Sequence, residues 1–457
     1  MFKAKKMLAL LLAFSMLTLT ACGGQEAATE ESAPVATEEA ATEETASEGS
    51  ELTGTLNYIS WMTKGEDIPT LDAFMTENPG VEVVNRSLDG SNYSETLAPL
   101  LLNGDVPDVF LVKPAQLQEY AKEGYIKPIT DYEGVAEQAT NSPGVHKALC
   151  VGDEIYGYAV NGNIGNEFVY YNKLFFEENN LQVPTTVEEF DALCAQIKEL
   201  GQDPLLVPAG DIWQAPYFVY NHILASLADL GQYGDKPQAE IGLLKGEIKI
   251  SDVYGSAFRK LAEYCANGWI SPGGLSMGWE TATQYLVDGG AAMLCSGNWV
   301  PGSTPIQENT NAEFELGAFP LPGVETESGT LYAMGEADRV IVLSATSEYP
   351  EAQDALFYHF IDDENLTNYC NEQGLMGVNV TSNVDPVMEY SNGVLADYTM
   401  VTYNLTNMPT SITPNFYQYC ADVCSGADVE QLLQKLDADF DAAMSSVDAQ
   451  EYLSAIE

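Results

Sequence analysis

Segments with the length and composition of β-strands alternate with helical segments near the start of the globular part of the chain. Strands are predicted over 55–60, 81–85 and 108–112, with a helix over 68–77 and further helical sequence before the third strand. Strands separated by helix-length segments are typical of a parallel sheet covered by helices. The sequence therefore predicts an α/β fold.

Residues 52–457 are too many to share one hydrophobic core. Single cores stop growing at roughly 250–300 residues, and longer chains divide into domains. We therefore expect two α/β domains.

Helix signals recur in the rest of the chain. Thr185 or Thr186, followed by Glu188 or Glu189, forms a capping box that begins a helix, which Gly201 ends. Further helices are predicted over 254–267, 279–287, 351–362 and 428–444.

The first 21 residues indicate export. Lys3, Lys5 and Lys6 precede the apolar run 7–19, and Ala21 is a small residue at a cleavage point. At ~1.5 Å per residue the run is roughly 20 Å long, which is shorter than the ~30 Å hydrocarbon core of a membrane. We therefore expect a signal peptide over 1–21 rather than a membrane-spanning helix.

Cys22 follows that small residue directly, in a pattern that resembles a bacterial lipobox. The resemblance implies a lipid on the Cys22 thiol and cleavage before it, which anchors the protein at the outer face of the cell membrane. An ordinary secretory signal with an unrelated cysteine is the alternative. Residues 23–51 contain nine glutamates and neither Lys nor Arg, so 22–51 are predicted to form a lipidated, disordered, acidic tether.

The charge balance excludes one class of partner. The chain has 18 basic and 68 acidic residues, for a net charge of −50. A protein this acidic repels nucleic acid and anionic lipid, so no nucleic-acid partner is expected.

Seven cysteines follow Cys22, and an odd number argues against disulfides joining all of them. Cys420 and Cys424 lie four residues apart on a predicted helix, as half a metal site would, but the chain has only three histidines and neither a C-x-x-C nor an H-E-x-x-H motif. Buried free thiols are therefore expected, and no metal or cofactor.

Six segments, in a characteristic order, resemble the extracellular solute-binding proteins of ABC importers, in particular the sugar-binding family that includes maltose-binding protein. They span 78–83, 104–109, 156–175, 184–190, 289–299 and 352–377. The resemblance implies a monomer without enzymatic activity that captures a mono- or oligosaccharide and delivers it to the permease of an importer.

The resemblance also implies a fold with two discontinuous α/β lobes, joined by crossing strands and closing around a ligand cleft. The first lobe is expected over 52–160 plus 319–361, and the second over 161–318 plus 362–457. One departure concerns the end of the third strand, where relatives carry a stacking aromatic residue and this chain has Val112 and Lys113. That departure bears on the identity of the ligand.

Sugar rings present flat C–H faces and an equator of hydroxyls, so a sugar site needs aromatic planes with paired donors and acceptors at their rim. Trp61 ends the first strand, and Trp299 stands where the resembling maltose binder has a stacking tryptophan. The candidate ligand-binding residues are Trp61, Trp213, Tyr217, Trp279, Asn298, Trp299, Glu336 and Asp338. The alternative is that the aromatic residues are core and that Glu336 and Asp338 lie in a solvated turn with Arg339.

A secreted serine hydrolase is the competing function. Residues 274–278 match the G-x-S-x-G pattern, with Ser276 as nucleophile and His359 as the only downstream histidine. A loop-like sequence precedes this motif instead of the required strand, and His359 lies in a helical run, so binding without chemistry is favoured.

Overall fold

The computed structural model describes residues 52–457, apart from 142–147, 165–166, 374, 376, 379–384, 404, 406–407, 409–415 and 457. The predicted signal peptide, Cys22 and the acidic tether lie outside the described residues.

Strands and helices alternate through the described part of the chain. The strands are β1 (Gly54–Ser60), β2 (Val81–Ser87), β3 (Val109–Val112), β4 (Cys150–Val151), β5 (Glu154–Ile155), β6 (Tyr158–Ala159), β7 (Gly162–Ile164), β8 (Phe168–Asn172), β9 (Leu205–Leu206), β10 (Met293–Ser296), β11 (Leu316–Pro320), β12 (Tyr332–Ala337), β13 (Val340–Leu343) and β14 (Thr399–Val401). The α-helices are α1 (Ile68–Glu77), α2 (Tyr93–Leu102), α3 (Pro114–Lys122), α4 (Val135–Asn141), α5 (Lys173–Glu178), α6 (Val187–Glu199), α7 (Tyr220–Asp229), α8 (Gln238–Lys245), α9 (Ile250–Ala266), α10 (Trp279–Val287), α11 (Thr304–Gln307), α12 (Pro350–Ile361), α13 (Asp363–Glu372), α14 (Glu389–Leu395), α15 (Phe416–Cys424), α16 (Val429–Met444) and α17 (Ala449–Ile456).

The predicted capping box is confirmed at the start of α6. The Thr186 hydroxyl accepts a hydrogen bond from the Glu189 N–H at 3.2 Å. The Glu189 carboxylate accepts one from the Thr185 N–H at 2.8 Å. These contacts satisfy N–H groups that have no partner within the helix, and they fix where α6 begins.

A five-stranded sheet in the order β2-β1-β3-β13-β6 forms the centre of the first lobe. β1 is parallel to both β2 and β3, as the sequence predicts, whereas β13 is antiparallel to β3 and to β6. All four residues of β3 are buried, because helices cover the sheet on both faces. This sheet and its helices share one hydrophobic core.

A four-stranded sheet in the order β11-β8-β10-β9 forms the centre of the second lobe. β8 lies antiparallel to both β10 and β11, and β9 lies parallel to β10. One hydrophobic cluster packs on each face of this sheet, and both clusters are distinct from the core of the five-stranded sheet. The molecule therefore contains two α/β cores, in agreement with the two expected domains.

Two chain segments cross side by side between the cores. β13 pairs with β6 in the five-stranded sheet, and the preceding strand β12 pairs with β7 in a separate three-stranded sheet. Between these pairings the Asp338 N–H donates to the Asn161 carbonyl at 3.1 Å, and the Val160 N–H donates to the Arg339 carbonyl at 2.8 Å. These two hydrogen bonds join the crossing segments to each other.

The chain passes from the second core to the first, and later back again, at points beyond the expected boundaries at 318/319 and 361/362. Phe319 and Leu321 pack in the core of the four-stranded sheet, because β11 pairs with β8. Leu366 and Tyr369 of α13 pack in the core of the five-stranded sheet. The expected crossing points rest on motif order, whereas the core clusters reflect strand pairing, which no motif records.

Candidate functional site

Two loops that leave the same edge of the four-stranded sheet form the first part of the candidate site. Because β9 and β10 are parallel neighbours, their carboxyl ends meet at one edge, which is where open α/β sheets bind ligands. The loop after β9 contains Trp213, in the short 3₁₀-helix Ile212–Gln214. The loop after β10 contains Trp299.

Four of the predicted residues meet in one aromatic cluster: Trp213, Tyr217, Trp279 and Trp299. Trp299 is at its centre, with ring centroids 5.6 Å from Trp213, 6.0 Å from Tyr217 and 6.4 Å from Trp279. The three tryptophans are half-buried, whereas Tyr217 is buried. The aromatic cluster therefore combines packed edges with partly open indole surfaces.

The Asp211 carboxylate fastens the two sides of the aromatic cluster together. It accepts a hydrogen bond of 2.7 Å from the Trp279 N–H, in the first turn of α10. A negative charge at this end of a helix also interacts favourably with the helix dipole. One residue earlier, the Gly210 N–H donates to the Met277 carbonyl at 3.0 Å. These contacts hold Trp279 beside the loop that contains Trp213.

Gly297 permits the position of the Trp299 ring. A Cβ atom on Gly297 would lie 2.1 Å from Cη2 of Trp299, because the indole folds back over the glycine. The Gly297 carbonyl also accepts a hydrogen bond of 2.8 Å from the buried Tyr170 hydroxyl. A glycine is therefore required beneath the central ring of the aromatic cluster.

Polar atoms without a hydrogen-bond partner among the described residues lie beside the aromatic cluster. They are Nε2 of Gln214, Oδ1 and Nδ2 of Asn298, and Nε1 of Trp299. Gln214 is fully buried and Asn298 is 4% exposed. An unpaired buried polar group costs about 1–3 kcal/mol, so donors and acceptors in these positions favour a polar ligand that pairs with them.

Trp61, Lys113 and Asp338 form a second group at the carboxyl end of the five-stranded sheet. The Lys113 ammonium lies 4.4 Å from the centroid of the Trp61 ring and forms an ion pair with Asp338. Tyr93 meets the same indole edge-on, with centroids 5.0 Å apart. Asp338 therefore has a partner from the end of β3, beyond the local pairing with Arg339 considered from the sequence.

Lys64 connects the two lobes. It lies in the loop that begins with Trp61, and its ammonium forms an ion pair with Glu280 of α10. The same ammonium lies 5.8 Å from the centroid of the Trp279 ring. The loop after β1 thus reaches the aromatic cluster of the opposite lobe.

A buried polar network holds that loop against the crossing segment that contains Arg339. The Asp67 carboxylate accepts hydrogen bonds from the Tyr369 hydroxyl at 2.7 Å and the Tyr58 hydroxyl at 3.2 Å. The Arg339 guanidinium donates to the Tyr369 oxygen at 2.8 Å. Burial raises the pKa of Asp67 above its usual value, although its hydrogen bonds and the Arg339 charge act in the opposite direction.

The structure adds three residues to the candidate site that sequence reasoning did not select: Gln214, Lys64 and Lys113. Gln214 follows a candidate tryptophan, and Lys113 follows the strand end where the resemblance implies a stacking aromatic residue. Lys64 gives no sequence signal, because its partner Glu280 is distant along the chain. Glu336 lies in β12 opposite Asn163 of β7, and its role in the site stays a prediction.

The residues proposed for the serine hydrolase lie in segments that pack against different cores. Ser276 ends the 3₁₀-helix Pro272–Ser276, and its hydroxyl donates to the Gly273 carbonyl at 3.2 Å. His359 is buried in α12, where its ring nitrogens face the Thr70 carbonyl at 3.2 Å and Glu77. The strand–turn–helix geometry of a nucleophile elbow is replaced here by a 3₁₀ turn.

Within the described residues, no group of three or more potential metal-binding side chains lies together. The same part of the chain contains no helix with both the length and the hydrophobicity needed to cross a membrane.

Comparison with known proteins identifies the family. Residues 61–361 match the family described as bacterial extracellular solute-binding protein. The multiple sugar-binding protein of Streptococcus mutans is 25% identical over 279 residues, which cover 60% of this chain and 63% of that protein. The match thus spans less than two thirds of the length of the curated relatives.

Solved structures share the fold. Apo RafE from Streptococcus pneumoniae has a TM-score of 0.65 and 21% identity, covering 86% of this chain and 99% of RafE. RafE in complex with raffinose has a TM-score of 0.68 and 23% identity, covering 86% of this chain and 100% of RafE. A sugar transporter from Bacillus licheniformis in complex with stachyose has a TM-score of 0.69 and 16% identity, covering 85% of this chain and 100% of that protein. The predicted two-lobe fold with a cleft between the lobes is confirmed.

Proposed function

This chain belongs to the bacterial extracellular solute-binding protein family, and we propose that it captures a mono- or oligosaccharide between its lobes and delivers it to the permease of an ABC importer. The aromatic cluster centred on Trp299 is the observation that supports this most directly. Partly open indole faces, with amide atoms beside them that lack a partner among the described residues, suit the C–H faces and hydroxyls of a sugar.

The ligand site would combine the two groups of residues. The second lobe would supply the aromatic cluster with Gln214 and Asn298, and the first would supply Trp61 and Lys113. Asp338 and Glu336 would contribute carboxylates from the crossing segment. RafE and the Bacillus licheniformis transporter, which have the same fold, were solved with raffinose and stachyose. Those ligands make oligosaccharides the first class to test.

Lobe closure would bring the two groups onto one ligand. We propose lobes divided as the core clusters divide them: the first comprises residues 52–160 with 337–375, and the second comprises most of the remaining described residues. The paired segments at Asn161 and Arg339 would act as the hinge. In this proposal the protein is a monomeric receptor that closes around its ligand and catalyses no reaction.

A thermal-shift screen of the purified protein against a panel of sugars tests this function. A ligand that binds only the native state adds RT ln(1 + [L]/Kd), about 2.7 kcal/mol at a hundredfold excess over Kd, so melting should shift upward with the correct sugar. Small-angle scattering should show a smaller radius at the same time. Turnover of an ester that is lost in Ser276→Ala would instead favour the hydrolase.

The Lys64–Glu280 ion pair should contribute to closure. Lys64→Met retains an apolar stem beside Trp279 but removes the charge. Exposed ion pairs contribute about 0.2–1 kcal/mol, so we expect the sugar Kd to rise by roughly 1.4- to fivefold. The salt dependence of the Kd should flatten at the same time, as titration calorimetry at two ionic strengths can measure.

Lys173→Met is the matched control, because Lys173 pairs with Glu315 at 3.1 Å and both belong to the second lobe. Its Kd should match that of the wild type. The proposed role of Lys64 is wrong if Lys64→Met leaves both the Kd and its salt dependence unchanged.

We further propose that Cys22 carries a lipid that anchors the protein at the outer face of the membrane. The lipobox pattern and the acidic segment behind it support this proposal. Cys22→Ala should leave the protein uncleaved or released into the medium in cell fractionation, and radiolabelled fatty acid should no longer be incorporated. Unchanged lipid labelling would refute the anchor.

A further inference from the structure

A groove on the second lobe runs between α10 and α11, beside the candidate site. Its walls are α10, α11 and the loop that follows α11, and its volume is about 480 Å³. Pockets that bind small molecules have volumes of roughly 300–1,000 Å³. The groove can therefore accommodate part of a bound ligand.

The groove starts at the aromatic cluster. Trp279 is the first residue of α10, and Trp299 precedes the 3₁₀-helix Val300–Gly302, which leads into α11. The two indole rings lie with centroids 6.4 Å apart, and the two helices pack against each other. A ligand that stacks on these indoles therefore has the near end of the groove beside it.

Contacts fix both ends of the groove. At the near end lies Glu280, which follows Trp279 directly and forms an ion pair with Lys64 of the opposite lobe. At the far end, Nδ2 of Asn311 donates a hydrogen bond of 2.7 Å to the carbonyl of Val287, the last residue of α10. The groove is thus a defined path that leads from the cleft, past Lys64, to the end of α10.

The lining of the groove is polar. Glu280, Gln284 and Asp288 follow one another at intervals of four residues along one side, and Thr304 and Glu308 line the other. Amides and hydroxyls donate and accept hydrogen bonds and carboxylates accept them, as sugar hydroxyls require. The ten described lining residues include three carboxylates and neither Lys nor Arg. A neutral sugar therefore suits the groove, whereas a uronate would be repelled.

On the basis of the sugar-binding function inferred above, we propose that the ligand is a neutral oligosaccharide of at least three units that extends from the aromatic cluster into this groove. The first units stack on the indoles, and later units form hydrogen bonds with side chains of α10 and α11. The described groove residues include no aromatic side chain, so the groove adds hydrogen bonds rather than stacking. Affinity therefore increases with chain length beyond the disaccharide.

Titration calorimetry of the purified protein with oligosaccharides of increasing length tests this extension. Three series are used: sucrose, raffinose and stachyose; maltose, maltotriose and maltotetraose; and chitobiose, chitotriose and chitotetraose. One hydrogen bond changes affinity roughly two- to tenfold, so the tetrasaccharide of the series that binds should have a Kd at least about fivefold lower than its disaccharide. Tetragalacturonate should bind no more tightly than digalacturonate, because the groove carboxylates repel it.

Gln284→Ala and Glu308→Ala each remove one groove side chain, from opposite walls. Both residues are exposed, so both variants should melt as the wild type does. Each should raise the Kd of the tetrasaccharide roughly two- to tenfold and leave that of the disaccharide within about twofold. Glu199→Ala is the matched control, because Glu199 is an exposed carboxylate of α6 outside the groove, and it should change neither Kd.

The outcomes separate the groove from sugar capture itself. Equal Kd values for the disaccharide and the tetrasaccharide, or a gain with length that both groove variants retain in full, would overturn the groove proposal and leave sugar capture intact. Tighter binding of tetragalacturonate than of digalacturonate would overturn the neutral class of ligand. Binding of no sugar in any series would overturn both the groove and the function on which it depends.

Discussion

Replacing Trp299 by alanine should weaken sugar binding at least tenfold. Its ring is the only one that contacts the other three members of the aromatic cluster, so its loss removes the central stacking surface. Aromatic pairing contributes about 0.5–1.5 kcal/mol beyond the buried area, and the burial of the ligand adds to this. Because the indole is only half-buried, the unliganded protein should lose less than the ~3–5 kcal/mol typical of a core aromatic. Calorimetry measures the change in the sugar Kd, and thermal melting of the unliganded protein measures the loss of stability.

Trp269→Ala is the matched control for this prediction. Trp269 is also half-buried and packs edge-on against Tyr264, with centroids 4.9 Å apart, but it lies outside the aromatic cluster. It should lower the melting temperature of the apo protein without changing the sugar Kd. A large loss of apo stability with an unchanged Kd in Trp299→Ala would show that Trp299 is a core residue.

Asn298→Leu should change stability and binding in opposite directions. Neither polar atom of the buried Asn298 amide has a partner among the described residues, so an apolar side chain of similar size removes a desolvation cost. We expect the free energy of unfolding of the apo protein to rise by about 1–3 kcal/mol. The sugar Kd should rise at least tenfold, because the hydrogen bonds to ligand hydroxyls are lost. Denaturant unfolding and calorimetry measure the two effects.

Asn221→Leu provides the contrast. The Asn221 amide is equally buried, but it donates a hydrogen bond of 2.6 Å to the Pro322 carbonyl. Its replacement leaves that carbonyl unpaired and should destabilise the apo protein. Loss of stability in Asn298→Leu comparable to that in Asn221→Leu would mean that Asn298 is a structural residue.

The sequence was most informative where the signal is local. The capping box around Thr186 and the helix beginning at Trp279 are both found as predicted, because caps and hydrophobic periodicity depend on neighbours along the chain. The aromatic residues were selected for their places in loops and at helix starts near strand ends, and some of them, Trp299 above all, for the family resemblance. The structure brings four of them together, although their role in binding stays a prediction.

Features that depend on contacts between distant segments were missed. Gln214 is distinguished by an Nε2 atom that the fold buries without a partner, and no local pattern signals that. Lys64 and Glu280 meet only because two lobes approach each other. The points where the chain crosses between the lobes differ from the expected ones for the same reason, since the pairing of β11 with β8 assigns Phe319 to the second core. Tertiary pairing, rather than propensity, decides these positions.

The network of Asp67, Tyr369 and Arg339 has a kinetic consequence. It attaches the loop containing Trp61 and Lys64 to the crossing segment, so this loop belongs to the rigid body of its lobe before any sugar arrives. Ordering a loop during association would add an entropic cost and slow the encounter. If the lobes close on a sugar as proposed, the search for the bound conformation would be reduced to one coordinate, the angle between the lobes.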